Sequence, residues 1–112
     1  RALEGKTMLN AVTAGAREEV YCETGLYEMS LRQYFAPFES TAHLCRMRYL
    51  SPFALFAAGH AAEEERLEPH VASYGRLLRA LVDGRLDLPR AERAKCLRSE
   101  LDSLVTASEA SR

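Results

Sequence analysis

"SYGRLLRALVDGRLDLPRAERAKCLRSELDSL", residues 73–104, is the stretch on which the predicted fold depends. Apolar residues recur at helical spacing from Val71 to Leu81, as they do on the buried face of a helix. Asp83 and Gly84 then end this helix through a left-handed residue, and Pro89 begins another. Because the connection is short, the two helices must be antiparallel neighbours. The stretch therefore predicts one wall of a helical bundle.

The rest of the chain is predicted to be helical as well. Segments 7–23, 27–49 and 52–68 keep apolar residues at helical spacing, and no run of alternating β-branched residues indicates a strand. Pro37 either kinks the second segment or ends a helix near Phe35, after which another begins; we expect one kinked helix. The third segment begins "SPFALFAAGH" and is apolar or small on almost every side, which is typical of a central helix.

Length and composition agree with an all-α fold, an antiparallel bundle of four to five helices. A chain of 112 residues fits one domain, and 47% apolar with 28% charged residues is ordinary for a folded protein. We therefore expect a single helical-bundle domain over residues 1–112. Because the chain begins at Arg1 without Met, we expect it to be a fragment of a longer protein.

Charge, hydropathy and cysteine usage argue against several classes of binding partner and of cellular location. The formal net charge of −1 argues against nucleic acid, which needs a local excess of Lys and Arg. No apolar run approaches the roughly 20 residues of a transmembrane helix. The three cysteines are odd in number and far apart, which favours free thiols in a reducing compartment over a disulfide framework. We expect a cytoplasmic protein.

Neither catalysis nor metal binding is predicted. His43 and Cys45 are two residues apart, and such side chains point to different faces of a helix. No glycine-rich phosphate loop or nucleophile elbow accompanies the cysteines and histidines. We therefore expect no enzyme, no catalytic or metal site and no cofactor.

Tyr74 lies midway along the predicted fourth helix, and "RAKCLRSEL" opens the last one. This arrangement resembles the microtubule-interacting and trafficking (MIT) domain, above all the tandem MIT-like region of autophagy-initiating kinases, over residues 51–109. The Gly-x-Tyr pattern of that family occurs earlier, at Gly25, and not beside Tyr74. The resemblance implies that short partner helices bind along the last helix. It places four residues in that groove: Tyr74, Leu78, Leu97 and Leu101.

The function predicted from these features is a non-enzymatic adaptor or scaffold that binds an amphipathic helix of a protein partner through an apolar groove. The alternative is a homo-oligomerisation domain that buries its aromatic stripe against a second copy. That stripe consists of Tyr27, Tyr34 and Phe38, and it is the preferred contact surface because one central helix cannot cover it. The groove residues named above are the second candidate, and they can equally be core residues.

Overall fold

The structure, a computed structural model, describes residues 2–22, 24–25 and 28–106. These residues form strands as well as helices, so the all-α prediction is wrong. The elements in chain order are β1 (Thr7–Met8), β2 (Ala11–Thr13), α1 (Leu31–Tyr34), α2 (Ala36–Leu44), β3 (Arg48–Tyr49), β4 (Phe53–Leu55), α3 (Leu67–Val82), α4 (Leu88–Arg93) and α5 (Leu101–Leu104). Two 3₁₀ turns, Glu18–Val20 and Ala58–His60, follow β2 and β4.

The strands form two parallel pairs, β1 with β3 and β2 with β4. Thr7 is opposite Arg48 and Ala11 is opposite Phe53, so the offset grows from 41 (48 − 7) to 42 (53 − 11) residues. One extra residue on the second strand is the mark of a β-bulge. Pro52 lies in this bulge, where its missing N–H is tolerated. β1 and β2 therefore form one continuous strand segment, β3 and β4 form a second one parallel to it, and the bulge separates the two pairs.

A helical crossover joins the parallel strands, as such pairs require. The Ser30 side chain accepts a hydrogen bond from the Gln33 N–H, and the Gln33 side chain accepts one from the Ser30 N–H, which caps α1. Phe35 separates α1 from α2, and Pro37 lies in the first turn of α2. The helix thus ends and begins again, whereas we expected a single kinked helix.

The all-α prediction failed because the sequence of a buried parallel strand resembles that of a central helix. All three residues of β4 are buried, and strands covered on both faces read as continuous apolar runs. Periodicity cannot separate such a run from a central helix. The predicted helix at 52–68 is therefore a strand, a turn and a loop, and the predicted helix at 7–23 is the strand segment β1–β2 with the loop after it.

Helix α3 and its end agree better with the prediction. Gly84 has a φ of 70°, and the Arg85 N–H donates to the Ala80 carbonyl at 2.9 Å, which confirms the predicted stop. The single helix predicted after Pro89 is wrong. Residues 85–106, the C-terminal segment, contain the short helices α4 and α5, and Leu86 forms an antiparallel bridge with Val105.

The hydrophobic core lies between the β3–β4 strand segment, α3 and the C-terminal segment. Its buried residues are Leu50, Phe53, Leu77, Ala80, Leu86, Ala91, Ala94, Leu97, Leu101 and Leu104. Six of these ten residues, from Leu86 onward, belong to the C-terminal segment, so that segment is an integral part of the core. In the described part of the chain, no helix has the length and apolar character needed to cross a membrane.

Candidate functional site

The candidate site lies where the parallel strands end. Residues 14–30 follow β2 and residues 56–66 follow β4, so the two loops leave the same edge of the sheet. In open α/β sheets, ligands bind outside the carboxyl ends of the strands. This edge is therefore where the fold places a binding site.

Backbone hydrogen bonds hold the two loops together beyond the last strand residues. The Ala14 N–H donates to the Leu55 carbonyl at 2.9 Å, and the Ala57 N–H donates to the Ala16 carbonyl at 2.8 Å. Ala57 adopts a left-handed conformation with a φ of 48°, which costs free energy for a residue with a Cβ. Neighbouring contacts must stabilise this turn.

Arg66 supplies those contacts. Its guanidinium donates to the carbonyls of Phe56 and Ala57, both at 2.8 Å, and to the Glu64 carboxylate at 2.6 Å. Glu64 also accepts a hydrogen bond from Arg17 at 2.7 Å. The bond from Arg17 and then the bond from Arg66 lower the pKa of Glu64. The network therefore ties the loop after β2 to the loop after β4 and favours the ionised carboxylate.

Aromatic side chains pack between the same two loops. The ring centroids of Tyr21 and Phe56 are 5.6 Å apart, and those of Tyr21 and Tyr34 are 6.1 Å apart in an edge-to-face arrangement. Gly25 makes a close approach possible, because a Cβ there would lie 2.6 Å from the carbonyl oxygens of both Glu19 and Val20. The loop after β2 is folded back on itself at this point.

A cavity of about 780 Å³ opens beside these loops. Its lining combines the loop after β2, the start of α1, the bulged strand and part of the C-terminal segment. The lining residues are Glu18, Glu19, Tyr21, Cys22, Thr24, Ser30, Leu31, Arg32, Ser51, Pro52, Ala54, Phe56, Arg93, Ala94, Lys95 and Cys96. The volume falls within the roughly 300–1,000 Å³ of small-molecule sites. The cavity is the candidate ligand site.

The cavity lining carries both charge signs. Glu18 and Glu19 come from the 3₁₀ turn after β2, Arg32 comes from α1, and Arg93 and Lys95 come from the C-terminal segment. The acidic residues and two of the three cations therefore belong to different segments of the chain. Such a site can receive hydroxyl donors from a ligand at the carboxylates and anionic groups at the cations.

Two residues of the predicted aromatic contact surface, Tyr34 and Phe38, are not part of the cavity lining, although Tyr34 packs on Tyr21, which is. Tyr34 and Phe38 are 46% and 49% exposed on α1 and α2. Tyr27 lies outside the described residues. A partner-binding role for this stripe stays a prediction.

The residues of the predicted groove do not share one surface. Leu97 and Leu101 are buried in the core, whereas Leu78 is 39% exposed. Tyr74 is half-buried and packs on Phe53, with the ring centroids 5.5 Å apart. The sequence had left open whether the groove residues belong to the core, and Leu97 and Leu101 do. A binding role for the four residues stays a prediction.

Sequence reasoning missed the cavity residues, although a signal for them exists. The segment "TMLNAV" is followed directly by the small residues of "TAGA" and then by Arg17. A strand followed by a small-residue turn is typical of a loop that approaches a ligand closely. The contribution of Arg93 and Lys95 had no such signal, because only the packing of the C-terminal segment brings them to the cavity. Among the described residues, no three His, Cys, Asp or Glu side chains are grouped to hold a metal ion.

Comparison with known proteins gives a consistent result. The family described as having a flavodoxin-like fold matches residues 1–78. The ancillary protein KefG of the glutathione-regulated potassium-efflux system of Serratia proteamaculans is 35% identical over 78 residues, 70% of this chain and 42% of that protein. General stress protein 14 of Bacillus subtilis is 34% identical over 64 residues, 57% of this chain and 37% of that protein.

A third relative is the uncharacterized NAD(P)H oxidoreductase YrkL of Bacillus subtilis, which is 33% identical over 63 residues, 56% of this chain and 36% of that protein. The chain thus spans 36% to 42% of the length of these curated relatives. No solved structure matches the chain significantly.

These findings correct the predicted family and function. The MIT resemblance is wrong, and so are the non-enzymatic adaptor and the alternative oligomerisation domain, because the family match covers residues 1–78 and the relatives include an oxidoreductase. The physical reason lies in the segment that carried the resemblance. "RAKCLRSEL" is not the opening of a long helix, since α4 ends at Arg93 and α5 begins at Leu101.

Proposed function

Because this chain belongs to the flavodoxin-like fold family, we propose that it forms part of a flavin-dependent NAD(P)H oxidoreductase. The observation that carries the proposal is the cavity at the carboxyl ends of two parallel strands, the position at which doubly wound folds bind nucleotides. YrkL supports the same reaction class, since it is named as an NAD(P)H oxidoreductase.

The lining of the cavity fits a flavin mononucleotide, which flavodoxin-like folds bind at this end of the sheet. Tyr21, Phe56 and Pro52 offer aromatic and apolar surface of the kind that a planar ring system packs against. Glu18 and Glu19 offer carboxylates that accept hydrogen bonds from hydroxyl groups. The lining therefore supplies both the apolar and the polar contacts that such a ligand needs.

A bound flavin supplies hydride acceptance from NAD(P)H and two-electron transfer to an acceptor. The residues of this chain bind the flavin, orient it and shield it from water. The Tyr21–Phe56 pair keeps water from one side of the cavity, and the network of Arg17, Glu64 and Arg66 holds the loops that carry this pair. None of these side chains has to change its protonation state to do so.

The sheet supports the proposal that further strands of a doubly wound fold complete the site. The strand segment β1–β2 pairs on one edge only in the described chain, and Ala11 and Thr13 are exposed. Strands of a parallel sheet are normally covered on both faces. We expect another parallel strand, from the same polypeptide or a separate one, to pair with the open edge.

Helix α3 supports the same expectation. An exposed apolar stripe runs along it at helical spacing and consists of Leu67, Val71, Leu78 and Val82. In doubly wound folds, helices cover both faces of the sheet and pack beside one another. A neighbouring helix of the same fold is the occupant that we expect on this stripe.

The proposal includes a cytoplasmic location and a protein partner. A cytoplasmic location is supported by the three free cysteines, which suit a reducing compartment. A protein partner is supported by the relatives alone, since KefG is named as an ancillary protein of an efflux system.

The test is flavin binding, read from the fluorescence of FMN during titration with the protein. We expect quenching in the wild type, because the phenol of Tyr21 can donate an electron to the excited flavin when the two rings are in contact. Tyr21→Ala and Phe56→Ala should each weaken binding by roughly tenfold, in line with the aromatic contribution to a buried contact.

Leu44→Ala is the control, because Leu44 is 83% exposed and is absent from the cavity lining. It should bind FMN as the wild type does. Unchanged fluorescence with excess wild-type protein, or equal affinity in all four proteins, would contradict the proposed function.

A further inference from the structure

Two cations in the cavity lining come from outside the region that matches the family. The family match ends at residue 78, whereas Arg93 and Lys95 belong to the C-terminal segment. Any ligand contact that these residues make is therefore a property of this chain and is not implied by the family match.

The backbone that carries Arg93 and Lys95 is held in place on both sides. On one side, the Ser51 N–H donates to the Ala91 carbonyl at 3.1 Å, and Arg48 pairs with Glu92 at 2.6 Å. On the other side, the Glu100 carboxylate accepts hydrogen bonds from the N–H groups of Lys95 and Cys96, both at 3.1 Å. The backbone of residues 91–96 is thus fixed against the bulged strand, and it places the exposed side chains of Arg93 and Lys95 beside the cavity.

Arg32, the third cation of the lining, is already engaged. Its guanidinium donates to both Glu39 carboxylate oxygens, at 3.1 and 3.0 Å, and to the Glu92 carbonyl. It also lies 5.3 Å from the centroid of the Tyr49 ring. Arg93 and Lys95 differ from it, because neither side chain has a hydrogen bond or ion pair with any residue that the structure describes. Their charges are available to a ligand.

The negative and the positive side chains of the cavity lining come from different segments of the chain. The carboxylates of Glu18 and Glu19 come from the loop after β2, and the free cations come from residues 93–96. A ligand with hydroxyl groups on one part and an anion on another matches this division. Arg and Lys form charge-assisted hydrogen bonds with phosphate oxygens, and Arg does so through a planar fork.

We propose that Arg93 and Lys95 bind the phosphate monoester of a nucleotide in this cavity. The proposal rests on the proposed function, which supplies two sources of that group: the phosphate of a flavin mononucleotide and the 2′-phosphate of NADPH. Both are phosphate monoesters, carried by the ribityl chain in a flavin mononucleotide and by the adenosine ribose in NADPH. In either case the C-terminal segment selects the phosphorylated form of the ligand.

The experiment compares two ligand pairs that differ by one phosphate monoester, riboflavin with FMN and 5′-AMP with adenosine 2′,5′-bisphosphate. Affinities are measured for the wild type, Arg93→Gln, Lys95→Gln and the control Lys6→Gln, after circular dichroism has shown that each is folded. Lys6 is an exposed cation just before β1, at the opposite end of the strands from the cavity.

We expect the wild type to prefer the phosphorylated member of one pair by tenfold or more, the scale of a charge-assisted hydrogen bond. Arg93→Gln and Lys95→Gln should each reduce this preference by roughly tenfold, and Lys6→Gln should keep it. The pair that responds identifies the source of the phosphate.

Equal affinity within both pairs in the wild type, or a preference that both variants retain, overturns the phosphate proposal. Riboflavin separates this failure from that of the proposed function, because it lacks the phosphate. If riboflavin binds, FMN binds no more tightly than riboflavin, and neither substitution changes the affinity for FMN or for adenosine 2′,5′-bisphosphate, the proposed function stands and only the phosphate site is wrong. If none of the four ligands binds, both fail.

Discussion

At the scale of the residue, Arg66 holds the turn after β4 in an unfavourable conformation. Three acceptors share its guanidinium: the carbonyls of Phe56 and Ala57 and the carboxylate of Glu64. We expect Arg66→Lys to lower the free energy of unfolding by roughly 1.5–3 kcal/mol, because a lysine cannot reach all three acceptors and leaves a carbonyl unpaired. Urea denaturation measures the change.

Arg76→Lys is the matched control, since Arg76 pairs with the exposed carboxylate of Asp102. Exposed pairs contribute about 0–1 kcal/mol, so this change should have little effect. Equal effects of the two substitutions would show that Arg66 does not stabilise the turn.

His70 is the residue that should make stability depend on pH near neutrality. It packs on Phe53, with ring centroids 4.9 Å apart, and its buried Nδ1 has no hydrogen-bond partner among the described residues. Burial, with a smaller contribution from Arg98, lowers the pKa of His70 below its ordinary value of 6.5. The unfolded chain therefore binds a proton more readily than the folded chain.

It follows that His70 leaves stability intact above pH 6.5 and reduces it as the pH falls from 6.5 toward the lower folded pKa. We expect His70→Gln to flatten the dependence of the melting temperature on pH between 7.5 and 5, with the exposed His43→Gln as control. The lowered pKa of Glu64 acts in a more acidic range, below its ordinary value of 4.5. A wild-type slope that survives in His70→Gln would assign the effect to another group.

At the scale of the element, α3 has one buried face and one exposed face. Leu77 is fully buried in the core, whereas its neighbour Leu78 is 39% exposed. We expect Leu77→Ala to lower the free energy of unfolding by roughly 2–5 kcal/mol, the cost of a core cavity. Leu78→Ala should cost clearly less, about 1 kcal/mol or less, because 39% of the Leu78 surface is already in contact with water.

Chemical denaturation of the two variants side by side measures the difference. Because the substitutions are identical and adjacent, helix propensity cancels between them. A large loss from Leu78→Ala would mean that the exposed stripe of α3 is covered in solution.

At the scale of the whole molecule, the C-terminal segment completes the core. Leu97, Leu101 and Leu104 are buried against residues of α3 and the bulged strand. A chain that ends at Arg85 would leave Leu50 and Phe53 with their apolar surface in water. We expect this shortened chain to lose cooperative thermal unfolding and near-ultraviolet circular dichroism.

Leu101→Ala in the complete chain is the graded version of the same test and should cost roughly 2–5 kcal/mol. If the shortened chain unfolds cooperatively at the wild-type temperature, the C-terminal segment is not part of the core.

Features that depend only on near neighbours along the chain can be derived from the amino-acid sequence. Helix α3 and its end at Gly84 follow from apolar spacing and from a glycine that adopts a positive φ without strain. Pro37 marks an interruption of the second segment through its missing N–H and its ring, but we expected a kink there, whereas the structure has two helices separated at Phe35. Such signals act over about one turn of chain, so their outcome does not depend on the rest of the fold.

The fold class and the candidate site, by contrast, depend on contacts between distant parts of the chain. Residues 7–13 are strand because their hydrogen-bond partners lie 41 or 42 residues further along, and nothing within the segment specifies that pairing. The same is true of "SPFALF", whose uniform burial suits a central helix or a parallel strand equally well. Arg93 and Lys95 reach the cavity only because Ala91 and Glu92 are bonded to the bulged strand. Contacts between distant segments, which local periodicity does not encode, thus placed every part of the site in space.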